Sequence, residues 1–345
     1  MAVRRKSREI EVIKRIPPVS DYLSTGCTLL DLAISDTYPG GFGAGRINHL
    51  WGTESSSKSV LVAEILGAAQ RKGGKATLIE TEGTFDESRA EDLFGVDTRK
   101  LKYISPEKGN IKTELSIEYL FDELLTKMED EAAKTKAPCV GAVDSLSAIP
   151  SMPEIERGMG EATYGTDRAQ ALSRGFRKHV WRMNRSGLGM VFVDQSRDKI
   201  AGFGGKTFSG GNALRFFAST RVMTQVVKTL INKHKKPIGI RVKAKIEKNK
   251  IAPPYREIEF IIRFDYGIDD IATNLDWLKQ NDPTVPKKGN VYVIPGVKKK
   301  GTGLASATKI VEAEQAEEAL IERLVKVWHM VYSDDDERIP RRRFI

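Results

Sequence analysis

Eight residues constrain this chain more than any others. Gly52, Thr53, Glu54, Ser55, Ser56, Ser57, Lys58 and Ser59 stand between an apolar run at 47–51 and a stretch with helical apolar spacing from Val60 onward. A strand that ends in such a loop and reopens as a helix gathers backbone N–H groups and the positive helix end at one point, which makes an anion site. In a phosphate-binding loop a lysine reaches the outer phosphates and a hydroxyl holds magnesium; Lys58 and Ser59 occupy those two places. The pattern Gly-x-x-x-x-Gly-Lys-Ser/Thr is broken once, where Ser57 replaces the second glycine. An ordinary polar turn could carry the same letters, so the remaining residues have to decide between the two.

Beyond the loop, short apolar runs alternate with helical stretches. Leu61, Val62, Ile65 and Leu66 follow helical spacing, and the run at 75–79 closes on Glu80, Thr81 and Glu82. Residues 113–134 predict one long amphipathic helix with Leu115, Tyr119, Leu120, Leu124 and Met128 on one side. A continuous apolar run at 139–143 ends at Asp144 and Ser145. A helix over 166–184, a strand over 189–193, and strands over 221–229, 238–247 and 256–264 complete the predicted core. Several of these strands are apolar throughout, as strands buried on both faces are. The expected fold class is therefore α/β, a mainly parallel central sheet covered by helices on both faces. Past Gly267 the pattern changes to a smaller unit with a helix over 311–332. The expected organisation is a basic arm at 1–22 broken by Pro17 and Pro18, a core at 23–268, and a small α+β domain at 269–345.

Composition narrows the function classes. There is no run of 18 apolar residues, and the basic stretch at 1–15 has no apolar segment behind it, so neither a membrane span nor a secretory signal is expected and the chain is assigned to the cytoplasm. Cys27, Cys139 and four scattered histidines are too few for a disulfide framework or a zinc cluster. Charge placement is more informative than the net charge of +10. Residues 196–250 hold 14 Lys and Arg against two acids, Asp198 and Glu247, an excess larger than that of the whole chain. A polyanion is the partner class this implies.

Four strand ends carry candidate chemistry. The first is the 52–59 loop. Asp144, at the end of its apolar run, can join the magnesium shell beside Ser59. Glu80 and Glu82 close another strand, and one of them could orient a water for in-line attack on a γ-phosphate. Asp194 and Gln195 come after the apolar residues 191–193, where an uncharged amide can touch the γ-phosphate and pass its presence onward. Beyond Gln195 lies a basic, glycine-rich stretch with Arg197, Lys199, Phe203, Lys206, Phe208, Gly210, Gly211 and Asn212. Glycines give mobility, cations meet phosphates, and aromatic rings stack on bases or wedge between them. A second glycine-containing stretch, 154–165, includes Arg157, Gly158 and Gly160.

With these residues in place the chain resembles the RecA family of recombinases, closest to the bacterial type. Ser24-Thr25-Gly26, Val143-Asp144-Ser145, Glu154-Ile155-Glu156, Asp194-Gln195-Ser196-Arg197, the run Gly210 to Ser219 and Lys248-Asn249-Lys250-Ile251-Ala252-Pro253 keep the family's order over about residues 23–267. The resemblance implies a RecA-like ATPase core that uses ATP and Mg2+. It implies that Glu82 activates the hydrolytic water, Gln195 links the γ-phosphate to a DNA-binding loop, and Asp86 meets adenine. It also implies that 154–165 and 196–210 are the two DNA loops, that Lys248 and Lys250 reach the ATP of a neighbouring subunit, and that Phe216 lies where subunits couple. The implied assembly is a helical filament on single-stranded DNA that pairs it with homologous duplex DNA, with ATP at the subunit interface.

The chain departs from the family pattern at several points. A Cβ at Ser57 crowds the phosphates or strains a positive-φ backbone, at a cost of about 1 kcal/mol. Arg89 stands where an aromatic ring usually stacks on adenine, and the segment before Leu23 is short. The alternative reading is a RecA-like DNA-binding paralogue that assists a recombinase and hydrolyses ATP weakly or not at all. A hexameric helicase on the same core is disfavoured by the 210–219 match.

Overall fold

The structure is a computed structural model that describes residues 19–106, 115–157, 165–198, 206–208 and 211–333. A central sheet carries the strands β1 (Ile47–Gly52), β2 (Ala76–Glu80), β3 (Lys102–Ile104), β4 (Cys139–Asp144), β5 (Leu188–Asp198), β6 (Lys206–Phe208), β7 (Thr220–Ile231), β8 (Pro237–Asn249), β9 (Glu257–Arg263) and β10 (Gly267–Ile268). Their order is β10-β9-β8-β7-β1-β5-β4-β2-β3, with β6 pairing on the far end of β5. From β7 to β3 every neighbour is parallel, whereas β8, β9 and β10 add antiparallel. The expected mainly parallel sheet is what the chain forms.

The apolar runs work because their alternate residues serve opposite faces. Along β5, Val191 and Val193 join one hydrophobic cluster, and Met190 and Phe192 join the other. Along β4, Val140 and Ala142 face the first and Cys139 and Val143 the second. The first cluster is covered by α1 (Thr28–Ser35), α2 (Lys58–Arg71) and α3 (Glu87–Phe94). The second is covered by residues 117–133 and α4 (Gly165–Ser186), where Phe121, Phe176 and Phe192 meet edge to face at about 5 Å between rings.

Two helix expectations are corrected. The stretch at 113–134 is not one uniform α-helix: Leu120–Leu125 is π-helical between the α-helical pieces Ile117–Tyr119 and Thr126–Ala133, and residues 107–114 lie outside the described residues. The wider turn still buries Leu120, Phe121, Leu124 and Leu125, so apolar periodicity does not distinguish the two helix types. The helix expected over 311–332 is two. After α5 (Gly211–Phe217) and α6 (Asp270–Asn281), α7 (Leu304–Ala313) stops, Gln315 takes φ 51°, and α8 (Glu317–Tyr332) begins in a new direction. Gln315 in the left-handed region breaks the ladder, which lets both helices lay their apolar sides against α6.

α8 is tied to the sheet by a compact junction. Trp328 Nε1 donates to Asp36 Oδ1 at 3.0 Å, Arg256 pairs with the same oxygen at 2.8 Å, and the Arg256 guanidinium lies over Trp328 and Tyr332 at 5.3 and 5.1 Å. Trp328 and Leu324 belong to the same hydrophobic cluster as Val242 and Phe260 of the sheet. Among the described residues no helix is long and apolar enough to cross a membrane.

Candidate nucleotide site

The parallel register aligns the strand ends. Gly52 stands opposite Gln195 on one side of β1 and opposite Thr224 on the other, and Glu80 stands opposite Asp144. Around them opens a cleft of about 700 Å3 lined by the 54–59 loop, Glu80, Glu82, Asp86, Arg89, Asp144 and Gln195. Open sheets of parallel strands bind ligands at this end.

The loop leaves β1 at a glycine because nothing larger fits. A Cβ on Gly52 would lie 2.0 Å from the Thr224 carbonyl oxygen. Ser56 is fully buried, donates to Thr53 O at 2.6 Å and lies 2.9 Å from Thr224 Oγ1, which pins the loop to β7. Ser57 then takes φ 77° and ψ 7° as the residue before α2, and Ser55 takes φ 54°. Ser57 thus holds, with a side chain, the left-handed conformation that glycine adopts without cost. Its hydroxyl is bound to the Ser56 carbonyl.

Lys58 is buried at the first turn of α2, its Nζ donating to Thr53 O at 2.7 Å; burial lowers its pKa, against the pull of Asp144, Glu82 and Glu54. Ser59 Oγ donates to Asp144 Oδ2 at 2.9 Å. Burial raises the Asp144 carboxyl to about 6, opposed by the Ser59 hydroxyl. One hydroxyl and one carboxylate held together at the rim of an anion-binding loop fit Mg2+, which takes few protein ligands and completes its octahedron with phosphate oxygens and water.

The two candidate carboxylates separate by environment. Glu80 is buried and accepts from the backbone N–H groups of Glu82, Gly83 and Thr84 at 2.8–3.1 Å and from the Tyr103 hydroxyl at 3.1 Å. It is a mount for the turn. Glu82 is exposed to the cleft; its Oε1 accepts from Gln195 Nε2 at 3.1 Å and from Ser145 Oγ at 3.3 Å. β5 runs on from Gln195 to Asp198 and pairs with β6.

At the other end of the cleft Asp86 caps α3, its Oδ1 accepting from Arg89 N–H at 3.0 Å, and Arg89 Nη2 donates to Phe264 O at 3.0 Å. Ile240, Ile262 and Phe264 supply apolar wall there, from strands contiguous with the site only in three dimensions. The sequence reading placed these residues in strands over 238–247 and 256–264, without marking them as cleft.

Lys248 and Lys250 do not line this cleft. Lys248 Nζ donates to Arg215 O and Phe216 O at 2.9 and 2.7 Å, closing the end of α5, and burial together with Lys250, Arg221 and Arg215 lowers its pKa to about 8. Lys250 is exposed, and Phe216 on α5 is 72% exposed. Of the DNA-loop candidates, Arg157 pairs with Asp167 at 2.7 Å and Asn212 is exposed on α5. Gly158, Gly160, Lys199, Phe203 and Gly210 lie outside the described residues, and Arg197, Lys206, Phe208 and Gly211 are described in backbone alone.

A buried network behind the site had no sequence signal. Asp194, fully buried, has Oδ2 3.2 Å from His49 Nε2; Arg221 Nε donates to His49 Nδ1 at 3.2 Å and pairs with Glu247 at 3.2 Å, and Trp51 Nε1 donates to Glu247 at 3.0 Å. Burial lowers the His49 pKa; the N–H that Arg221 donates makes Nδ1 an acceptor and puts the ring proton on the nitrogen that faces Asp194. The network spans β1, β5, β7 and β8.

Fold and loop together define an α/β protein of the phosphate-loop class. A family model described as RecA N-terminal domain matches residues 14–269. Among similar proteins are those named Protein RecA from Synechococcus sp. (strain CC9902), 34% identical over 308 residues covering 88% of this chain and 76% of the relative, and from Prochlorococcus marinus (strain NATL1A), 34% identical over 306 residues covering 88% and 75%. The chain belongs to the RecA family of recombinases.

Proposed function

We propose that this chain is a DNA-dependent ATPase that assembles on single-stranded DNA and exchanges it with a homologous duplex. In this reading Lys58 and the backbone N–H groups of 52–59 hold the phosphates, and Ser59 and Asp144 hold Mg2+, which neutralises charge on the phosphate oxygens when bound. Glu82 orients the attacking water and takes its proton. Lys248 and Lys250 serve the site of the neighbouring subunit across a filament interface that includes Phe216, and the stretches 154–165 and 196–210 contact DNA.

The observation that carries the reading is the 3.1 Å hydrogen bond from Gln195 to Glu82. It joins the candidate water-orienting carboxylate to the strand that runs directly into the basic, glycine-rich stretch. A contact of that kind gives nucleotide state and DNA occupancy a common element to bias. ATP turnover measured with and without single-stranded DNA tests it: stimulation by DNA is expected, and Glu82→Gln is expected to remove about a hundredfold or more of that turnover while nucleotide binding persists. Absence of stimulation, together with unchanged turnover in Glu82→Gln, would reject the reading. The left-handed backbone at Ser57 favours the second reading, a DNA-binding assistant with weak hydrolysis. For that protein DNA binding would persist without turnover.

A further inference from the structure

The base end of the cleft differs in chemistry from its phosphate end. Arg89 spends one N–H on Phe264 O, and its Nε and Nη1 make no hydrogen bond among the described residues. Asp86 spends Oδ1 on the Arg89 N–H, and its Oδ2 likewise makes none. Both side chains are exposed and line the same cleft as the apolar Ile240, Ile262 and Phe264. A base packed on that wall therefore meets guanidinium donors, the second N–H of Nη2 among them, and a carboxylate acceptor three residues apart at the start of one helix.

The purines present different edges to such a pair. Guanine offers two acceptors, O6 and N7, to a guanidinium fork, and this is the commonest specific arginine–base contact. Its ring and exocyclic N–H groups are donors for a carboxylate. Adenine offers N7 and an amino group, so it satisfies the carboxylate and uses only part of the fork. An aromatic ring at position 89 would stack on either base and read neither edge.

Resting on the nucleotide-site reading above, we infer that Arg89 and Asp86 make the base subsite accept guanine about as readily as adenine, with Arg89 as the residue that sets this breadth. The test is competition of unlabelled ATP and GTP against a fluorescent ATP analogue, with Mg2+ present, for the wild type and Arg89→Tyr. The wild type is expected to bind the two nucleotides within about tenfold of each other, and Arg89→Tyr to shift the ratio toward ATP by about tenfold, the worth of one bidentate base contact. A wild-type preference for ATP above about a hundredfold, or a ratio unchanged in Arg89→Tyr, overturns the inference while leaving the nucleotide site standing. Failure of the wild type to bind the analogue, with Lys58→Ala indistinguishable from it, overturns the site reading and the inference with it. Position 89 is exposed on α3, and equal melting temperatures of the two proteins check that the substitution leaves the fold intact.

Discussion

Replacing Ser57 by glycine tests the phosphate loop most directly. At φ 77° an L-residue pays about 1–2 kcal/mol that glycine does not. Glycine gives back about 0.4–1 kcal/mol through the greater freedom of the unfolded chain, and it forfeits the hydroxyl contact to the Ser56 carbonyl. The net change in stability is therefore expected to be small, within about 1 kcal/mol. Alanine separates the terms: Ser57→Ala keeps the strain and, like Ser57→Gly, loses the hydroxyl contact, so it should lie below Ser57→Gly by the strain less glycine's unfolded-chain term, about 0.5–1.5 kcal/mol. Urea unfolding of the three proteins measures this. Nucleotide titration reads the other half, because Cβ crowds the approach of phosphate to the loop N–H groups only in serine and alanine. Affinity should rise severalfold in Ser57→Gly, about 1 kcal/mol in binding terms, and stay near wild type in Ser57→Ala. The reasoning is refuted if Ser57→Ala is as stable as Ser57→Gly, or if glycine weakens nucleotide binding.

Two more outcomes are expected at other sites. His49→Ala removes the ring nitrogen that faces the fully buried Asp194 and should cost about 2–3 kcal/mol, seen as a lower urea midpoint; a loss under about 1 kcal/mol would mean that another group or water takes its place. Lys248, lowered to about 8, is charged below that pH and neutral above it, so turnover that depends on its charge should fall as pH rises through 8. Lys248→Arg should flatten that limb of the pH profile, and an identical limb in the variant would assign the titration to another group.

The strand ends were legible because a single run of letters carries both the strand and its terminal residue, as at 139–144 and 191–195. Parallel register then did the rest by placing those ends side by side. Position at a strand end left Glu80 and Glu82 equivalent and only the resemblance singled out Glu82; the physical difference lies in the three backbone N–H groups turned toward Glu80, which commit it to the turn and leave Glu82 in the cleft. Ile240, Ile262 and Phe264 fell within the strands expected over 238–247 and 256–264, where apolar spacing does not separate a residue that lines a cleft from one that lines a core. The break at Gln315 escaped because a single left-handed residue in a helix-favouring stretch leaves no mark on apolar spacing. His49 and Asp194 are 145 positions apart, and nothing local to either announces the other.

The position of β1 in the sheet also bears on how the site comes into being. The strand that ends in the phosphate loop lies between β5 and β7, and both are made long after it. Thr224, which packs against Gly52 and Ser56, leaves the ribosome about 170 residues behind them, a delay of roughly ten to thirty seconds at ordinary synthesis rates. Throughout that interval the nascent chain carries the loop's letters without the loop. The site is thus completed only once β7 has been made, and any truncation that removes β7 should yield a fragment with its Gly-to-Ser motif intact and no pocket for an anion.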